Sequence, residues 1–292
     1  MTVHYAYGLA FDSEIPLPEL PTISSAVPAQ VTIRVGNAPR TLPKRAGVLA
    51  QVGQQEAVIE APNIARYHVS RGESIVIEPH ADPDSIRLFL LSAALGALFH
   101  QRRTLPLRAS SVATPAGAVV IAGQSGIGKS TLAAVLDARG WGLLSDDVTL
   151  VRLDESGAPV VVPGYPQIGL WADTLDELGL PASRRLRPSL EKYAVQPAHF
   201  HAEPMPLRAV YTLSVINRDE LTLTPVEGVL ALPHLLHYVY GAHLAREIGA
   251  MAAHWETAGA MTGAARVAQV TRPVQSGGLD ALAALIEGDA AR

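Results

Sequence analysis

The stretch that decides the fold is "AGQSGIGKSTLAAVLDARGWGLLSDDVTLV", from Ala122 to Val151. It begins at the end of an apolar run, "AGAVVIAG", which is typical of a buried strand. The segment "KSTLAAVLDARG" has helical periodicity and ends at Gly140, and "GLLSDDVTLVRLD" is predicted to be a second strand that runs into an "ESG" turn. The order strand, helix, strand predicts an α/β fold.

The loop between the first strand and the helix matches the pattern G-x-x-x-x-G-K-[ST]. Its glycines let successive backbone N–H groups face inward as an anion nest, and the helix N-terminus behind them favours phosphate oxygens. Lys129 would offset the charge of the β- and γ-phosphates, and the Ser130 hydroxyl would ligate Mg²⁺. We therefore expect ATP and Mg²⁺ to bind to Gly123, Gln124, Ser125, Gly126, Ile127, Gly128, Lys129, Ser130 and Thr131.

Two adjacent carboxylates, Asp146 and Asp147, follow Lys129 after one helix and one strand. In a parallel α/β sheet both loops emerge at the carboxyl edge, so the aspartates should open onto the same crevice as the glycine loop. Neighbouring strand residues point to opposite faces, which indicates separate roles: one carboxylate would hold Mg²⁺ and the other would accept a proton. The alternative is an Asx-turn or a solvated strand end.

These residues resemble the catalytic core of the HPr serine kinase/phosphorylase family, whose members carry G-x-S-G-x-G-K-S, an R-G-H-type turn and a D-D pair. The matching segments are "GQSGIGKST" and "RGWGLLSDDV". Softer likeness in "GYPQIGLWADTLDELGL", "RPSLEKY", "PLRAVYTL" and the N-terminal "YAYGLAFDSEIPLPELP" is to HPr-kinase-related proteins found with lasso-peptide biosynthesis genes. The resemblance covers most of the chain, but only the first two segments are specific.

The resemblance implies an ATP- and Mg²⁺-dependent kinase that acts on a serine hydroxyl of a peptide or small protein. In the lasso-associated relatives the acceptor is a precursor peptide. By position, Asp146 matches the base-like aspartate of the family, and Asp147 matches its partner at the metal, beside Ser130. The implied fold is a mixed sheet with flanking helices, of the HPr kinase C-terminal-domain type.

Two departures from the family pattern stand out. Arg108, in "LPLRASSV", replaces a histidine that usually precedes the strand leading to the loop. Arginine stays charged and can only donate hydrogen bonds or offset phosphate charge, so Arg108 joins Lys129 and the aspartates as an expected catalytic residue and argues against a phosphorylase. Trp141 replaces the histidine of the R-G-H turn, and we expect a packed aromatic ring there.

The chain divides by composition into three predicted parts. Residues 1–80 hold short β-branched and aromatic runs, among them "VHYAYGLAF", and form a β-rich module expected to help bind the acceptor. Residues 81–103 contain an apolar core helix, and residues 104–292 form the P-loop kinase domain. The apolar run of that helix is only about a dozen residues, against roughly 20 needed to span a bilayer.

Composition limits the partners and the compartment. The 292 residues carry a formal charge of −4 and no long basic run, so we expect no nucleic-acid or membrane partner. The absence of cysteine and of a signal-peptide pattern at the start favours the cytoplasm. Whether the chain forms a homo-oligomer is left open.

Weaker candidates have competing structural interpretations. Lys192 could reach a phosphate or the peptide, but a solvated helix lysine is the preferred interpretation. The basic segment "SRRLRP" is either a loop over the phosphates or a solvated loop, and Arg246 has no assigned role. Histidines with spacings that could suit a metal are expected to be structural because no third ligand is identifiable. The remaining residues concerned are Arg184, Arg185, Arg187, His199, His201, Glu203, His234 and His237.

Three other functions remain open for this core. A regulatory ATPase would release phosphate without an acceptor. A phosphoserine phosphatase or phosphorylase would run the chemistry in reverse. A recognition protein would bind nucleotide through the same loop without turnover.

Overall fold

Two β-sheets joined by one buried helical segment form the framework of this protein. The computed structural model describes residues 2–45, 49–53, 55–181, 184–217, 220–273 and 278–291. The architecture is mixed α/β, as the sequence predicts. Within the described residues, no helix is both long and apolar enough to cross a membrane.

The N-terminal sheet contains nine strands of the described chain in the order β3-β1-β2-β4-β9-β8-β7-β6-β5. Strand β4 is parallel to β2 and β9, and the other pairs are antiparallel. The strands are β1 Val3–Ala6, β2 Leu9–Ser13, β3 Thr22–Ile23, β4 Val31–Val35, β5 Lys44–Arg45, β6 Ala50–Gly53, β7 Glu56–Ala61, β8 Ala65–Ser70 and β9 Ser74–Pro79.

The run "VHYAYGLAF", predicted as one strand, is a hairpin. Ala6 pairs with Leu9, so Tyr7 and Gly8 alone form the turn, and both have positive φ, at 54° and 72°. A two-residue turn of this kind needs two residues with positive φ, and tyrosine is rarely one of them. The apolar run gave no signal for the reversal, and the prediction was wrong here.

The helical segment consists of α1 (Pro83–Phe89), a π-helical turn (Leu90–Ala94) and α2 (Leu95–Gln101). The Asp82 side chain caps α1 by accepting a hydrogen bond from the Ser85 backbone at 2.9 Å. The apolar side chains of the segment are buried against the N-terminal sheet, which confirms the predicted core helix.

The second sheet and its helices contain the remaining described elements. Its strands are β10 Leu105–Thr114, β11 Gly117–Ala122, β12 Gly142–Ser145, β13 Val148–Leu153, β14 Pro159–Val162, β17 Met205–Ile216, β18 Thr222–Pro225 and β19 Arg266–Pro273. A separate pair is formed by β15 Ile168–Trp171 and β16 Lys192–Val195. The helices are α3 Lys129–Ala138, α4 Ala172–Leu178, a 3₁₀ turn Gly228–Leu230, α5 Ala231–Leu236, α6 Ala242–Ile248, α7 Met251–Ala264 and α8 Leu279–Ala290.

The glycine loop and the aspartate pair share one sheet edge, although β11 and β12 are not neighbours. Strand β10 lies between them and pairs antiparallel with both, so β11 and β12 run in the same direction. The two strands are therefore not paired neighbours of a parallel sheet, and the sheet that holds them is mixed, as the implied fold has it. Both loops nevertheless lie at the expected edge of the sheet, because the direction of a strand decides at which edge its carboxyl end emerges.

The two sheets share part of a core. Val148, Leu150 and Val162 of the second sheet pack in the same apolar cluster as the N-terminal sheet and the helical segment. Two further clusters lie on opposite faces of the second sheet, one under α3 and α8 and the other under α5 and α7. The division into parts at residues 80 and 104 stays a prediction.

A buried histidine pair joins α2 to α7. His100 Nε2 donates to the Tyr240 carbonyl at 2.8 Å, so its Nδ1 must accept from His254 Nε2 at 2.9 Å. Burial lowers the pKa of His100 from 6.5 to about 3 and that of His254 from 6.5 to about 4. Both rings are therefore neutral in the folded protein at neutral pH.

This pair predicts an acid-sensitive fold. The unfolded chain takes up protons near pH 6.5, whereas the folded chain does so only near its lowered pKa values, so stability is present above pH 6.5 and is lost as the pH falls. Between pH 6.5 and pH 4 each histidine should remove about 3 kcal/mol. Urea unfolding across this range should show a shallower loss for His254→Gln than for the wild type. The exposed-site control His80→Gln should keep the wild-type dependence, and an unchanged curve for His254→Gln would contradict the assignment.

Candidate functional site

The glycine loop connects the end of β11 at Ala122 to the start of α3 at Lys129. Gly126 and Gly128 have φ values of 80° and 101°, in the region that L side chains rarely adopt. Such backbone turns the N–H groups inward, and the first N–H groups of α3 have no partner within the helix. The loop is therefore built to hold an anion at a helix N-terminus.

The Lys129 side chain lies inside this loop. It is buried, and its Nζ donates to the Gln124 carbonyl at 2.9 Å. Burial lowers the pKa of Lys129, while the negative charges of Asp146 and Asp147 oppose that shift. Its charge is thus held at the loop by short contacts.

A large cleft of about 440 Å³ opens beside the loop. This volume is within the usual range for a small-molecule site, roughly 300–1,000 Å³. The loop residues that line the large cleft are Ser125, Gly126, Gly128, Lys129, Ser130 and Thr131. Its apolar part is lined by Trp171, Leu221, Pro273, Leu279 and Leu282. Of the predicted nucleotide contacts, Gly123, Gln124 and Ile127 do not line it.

The aspartate pair interrupts the strand that the sequence predicts from "GLLSDDVTLVRLD". That prediction was wrong: β12 ends at Ser145, β13 begins at Val148, and both pair with β10. The Val148 N–H donates to the Asp146 carbonyl at 2.8 Å, and Asp147 has φ of 65°. This is a γ-turn with positive φ at its centre, a strained form. Strained residues of this kind cluster at functional sites.

Asp146 is fixed by three donors. Ser130 Oγ donates to its Oδ1 at 2.8 Å, Ser110 Oγ donates to the same oxygen at 2.5 Å, and the Gly169 N–H donates to Oδ2 at 2.9 Å. The residue is 8% exposed. A hydroxyl and a carboxylate in contact are oxygen ligands of the kind that Mg²⁺ prefers. The donor set of this site therefore fits Mg²⁺.

A Mg²⁺ site next to phosphates needs few protein ligands because the metal keeps phosphate oxygens and waters. Across residues 2–45, 49–53, 55–181, 184–217, 220–273 and 278–291, no group of three or more histidine, aspartate or glutamate side chains could hold a metal ion by itself. In the segment "HFHAE", the His199 backbone N–H donates to the Asp137 carboxylate at 2.8 Å.

Asp147 lies between two clefts. It is half-buried and lines both the large cleft and a small cleft of about 50 Å³. Burial raises the pKa of Asp147, and the nearby charges of Lys192, Arg108 and Lys129 oppose that rise. Gly169 and Lys192 also line both clefts, so these three residues mark the place where the clefts meet.

Lys192 belongs to this site, contrary to the preferred interpretation as a solvated helix lysine. It lies on strand β16, which pairs with β15 so that Lys192 is opposite Trp171. A side chain at Gly169 would place its first carbon 2.9 Å from Lys192 Cε, so the glycine leaves room for the lysine. Neither pattern nor spacing in "LEKY" indicated a strand.

Arg108 lies beside the site without lining either cleft. Its guanidinium stacks on the Tyr240 ring at 4.9 Å, and its carbonyl accepts from the Gly123 N–H at 3.3 Å. Its charge acts on Asp147 and Lys129.

Arg272, at the end of β19, is a site residue that the sequence analysis missed. Its Nη2 donates to the Ile127 carbonyl of the glycine loop at 3.1 Å, and it lines the large cleft. The signal was available, since a basic residue ends "ARVAQVTRP" on a strand that runs toward the same edge as β11.

The other candidates lie away from the large cleft. Arg185 pairs with Glu191 at 2.6 Å, Arg187 stacks over Phe89, and Arg246 is exposed on α6. Arg184 and Leu186 of the basic segment line the small cleft, and none of the segment's described residues lines the large one, so the interpretation as a loop over the phosphates has no support. The histidines of α5 bond to neighbours, and Trp141 packs against the core as predicted.

Comparisons with known proteins give a distant structural similarity. No protein-family model matches this chain, and no curated protein matches it. Among solved structures, the chain is similar to the Hpr(Ser) kinase/phosphatase from Coxiella burnetii, with 14% identity and a TM-score of 0.33. The match covers 63% of this chain and 89% of that chain. At this TM-score the likeness carries no argument about activity, which rests on the contacts above.

The contacts predict opposite effects for the two aspartates on stability. In Asp146→Asn, an amide replaces the carboxylate that accepts hydrogen bonds from Gly169, Ser110 and Ser130. The loss of a charged acceptor should lower the free energy of unfolding by about 1–3 kcal/mol. Asp147→Asn removes one of two adjacent negative charges, and asparagine tolerates positive φ, so this variant should be at least as stable as the wild type. Urea unfolding measures both. The reverse order of stability would contradict the contacts described here.

Proposed function

We propose that this chain is a phosphotransferase that moves the γ-phosphoryl group of ATP to a serine hydroxyl of a peptide or small protein. The observation that supports this best is the 2.8 Å contact between Ser130 of the glycine loop and Asp146. Asp147 lines the same large cleft as Ser130. A site that only bound phosphates would gain nothing from two carboxylates there. Carboxylates repel phosphate unless they hold a cation or take up a proton.

In this proposal the two aspartates exchange the roles that the family resemblance implies. Asp146 contacts Ser130, and its three donors orient the carboxylate while leaving an acceptor position on Oδ2, which suits a metal ligand. Asp147 faces the junction of the clefts and has a pKa raised by burial, which suits a group that takes up a proton. The assignment of Asp146 as the base and Asp147 at the metal remains the alternative.

The proposed reaction is an in-line transfer of the γ-phosphoryl group. The acceptor oxygen bonds to the γ-phosphorus while the bond from that phosphorus to the β,γ-bridging oxygen breaks; ADP leaves with the electron pair, and the hydroxyl proton passes to Asp147. Lys129 and the loop N–H groups offset the charge on the phosphate oxygens, and Arg108 and Arg272 add positive charge nearby. Mg²⁺, held by Ser130 and Asp146, would supply further neutralisation of these oxygens.

The proposed acceptor is a serine peptide, and the softer sequence likeness favours a lasso-peptide precursor. A precursor peptide encoded beside this gene would be the first acceptor to test. ATP supply and the cysteine-free composition support a cytoplasmic location for the proposed activity.

The test is transfer of label from γ-labelled ATP to a serine peptide. We expect the wild type to label the peptide, and Asp147→Asn to lower kcat by about 10²–10⁴, the usual contribution of general base catalysis. Lys129→Ala should weaken ATP binding as well as turnover, because it removes a charge at the phosphates. The control Arg246→Ala, on exposed α6, should behave as the wild type.

Other outcomes separate the rival functions. Label that appears only as inorganic phosphate, with or without peptide, would identify an ATPase. ATP binding without turnover would identify a recognition protein. Phosphopeptide that loses its phosphate faster than peptide gains it would identify a phosphatase or phosphorylase.

A further inference from the structure

We propose that the small cleft is the acceptor subsite and that Glu19 holds an N–H group next to the reacting hydroxyl. This inference rests on the proposed function, because it concerns where the second substrate of that reaction binds. The glycine loop lines the large cleft, where the nucleotide would bind. The small cleft meets the large one at Asp147. A hydroxyl in the small cleft would therefore face Asp147 without displacing the nucleotide.

Glu19 provides the evidence for a ligand. Its side chain is 4% exposed, and its Oε1 accepts from Arg87 Nε at 2.9 Å and from Arg184 Nη2 at 2.8 Å. Its Oε2 is buried and has no hydrogen-bond partner among the residues that the structure describes. Buried carboxylate oxygens are normally satisfied, and an unmet one at a cleft wall indicates a donor that comes with the ligand.

The size of the small cleft indicates which hydroxyl-bearing side chain can enter it. About 50 Å³ is room for a few groups the size of a water molecule, since one water needs roughly 10–15 Å³ of such space. A hydroxymethyl group fits this space, whereas a phenol ring does not. The subsite therefore favours serine over tyrosine as the phosphorylated residue.

The charges around the small cleft indicate which chemical group can lie next to the reacting hydroxyl. Asp146 and Asp147 face Lys192, and the charges of Lys129 and Arg108 also act on Asp147. At the other end of the cleft, Glu19 keeps one carboxylate oxygen without a partner among the described residues. An amide or ammonium donor suits that oxygen, while an acidic residue placed against it would be repelled.

The helix wall of the cleft has an irregular backbone. Leu91 and Ser92 line the small cleft and belong to the π-helical turn between α1 and α2. π-Helical turns occur frequently at functional sites. The N-terminal part of the chain thus contributes both the free carboxylate oxygen and a shaped wall to a site whose phosphate loop lies in the second sheet.

The test uses N-acetyl-Ala-Ser-Ala-amide as the acceptor, with its tyrosine and N-acetyl-Glu-Ser-Ala-amide counterparts. Glu19→Gln keeps an oxygen for the two arginines but replaces the free acceptor by an amide donor. We expect it to raise the KM for the serine tripeptide about tenfold or more, with kcat and ATP affinity unchanged. The matched control is Glu60→Gln, an exposed glutamate of β7 that pairs with Arg66 at 3.4 Å and should leave KM unchanged.

Calorimetry measures binding of the serine tripeptide separately from phosphoryl transfer. Tripeptide binding that weakens in Glu19→Gln, without any transfer of label, would support the subsite while the proposed function fails. Transfer with a KM independent of Glu19, equal use of the tyrosine tripeptide, or no binding up to the solubility limit would each overturn the inference. A crystal structure with the tripeptide hydroxymethyl outside the small cleft would overturn it too.

Discussion

The γ-turn at Asp147 is the constraint on which the site depends. Strands β12 and β13 would otherwise form one strand along β10, with alternate side chains on opposite faces. The positive φ of Asp147 breaks that alternation, so Asp146 stays bonded to Ser110 and Ser130 while Asp147 turns to the junction of the two clefts. One strained residue therefore gives two adjacent carboxylates different surroundings. Different surroundings allow two identical side chains to do different chemistry.

The N-terminal sheet and helical segment complete the site from the opposite side. Glu19 and Asp84 bind Arg184, whose carbonyl accepts from the Ala194 N–H on β16. Strand β16 carries Lys192, so this chain of contacts links the N-terminal part to a cation whose charge acts on Asp147. The pair of Arg184 with Asp84 is partly exposed and contributes little net stability, whereas the buried Glu19 carboxylate would be costly to leave unpaired. These contacts serve here to fix the position of one element against another.

The sequence predicted what local rules determine and missed what tertiary pairing determines. The glycine loop, α3 and the common edge of Lys129 and Asp146 follow from a motif and from strand direction. The hairpin at Tyr7 and Gly8 and the turn at Asp147 were missed, because both place a residue other than glycine at positive φ within an apolar run. Arg272 was missed although a basic residue near the end of a predicted strand was visible, and Lys192 was interpreted as a solvated helix lysine because nothing local predicted the pairing of β15 with β16.

The role of each aspartate is open to direct observation in a crystal structure with Mg²⁺ and a non-hydrolysable ATP analogue. We predict that the triphosphate lies along the glycine loop and that Ser130 Oγ and an Asp146 oxygen each contact the metal, either directly at about 2.0–2.1 Å or through a metal-bound water. Asp147 should face the γ-phosphate without touching the metal. A metal bound by Asp147, with Asp146 still bonded to Ser110 and Gly169, would contradict the account.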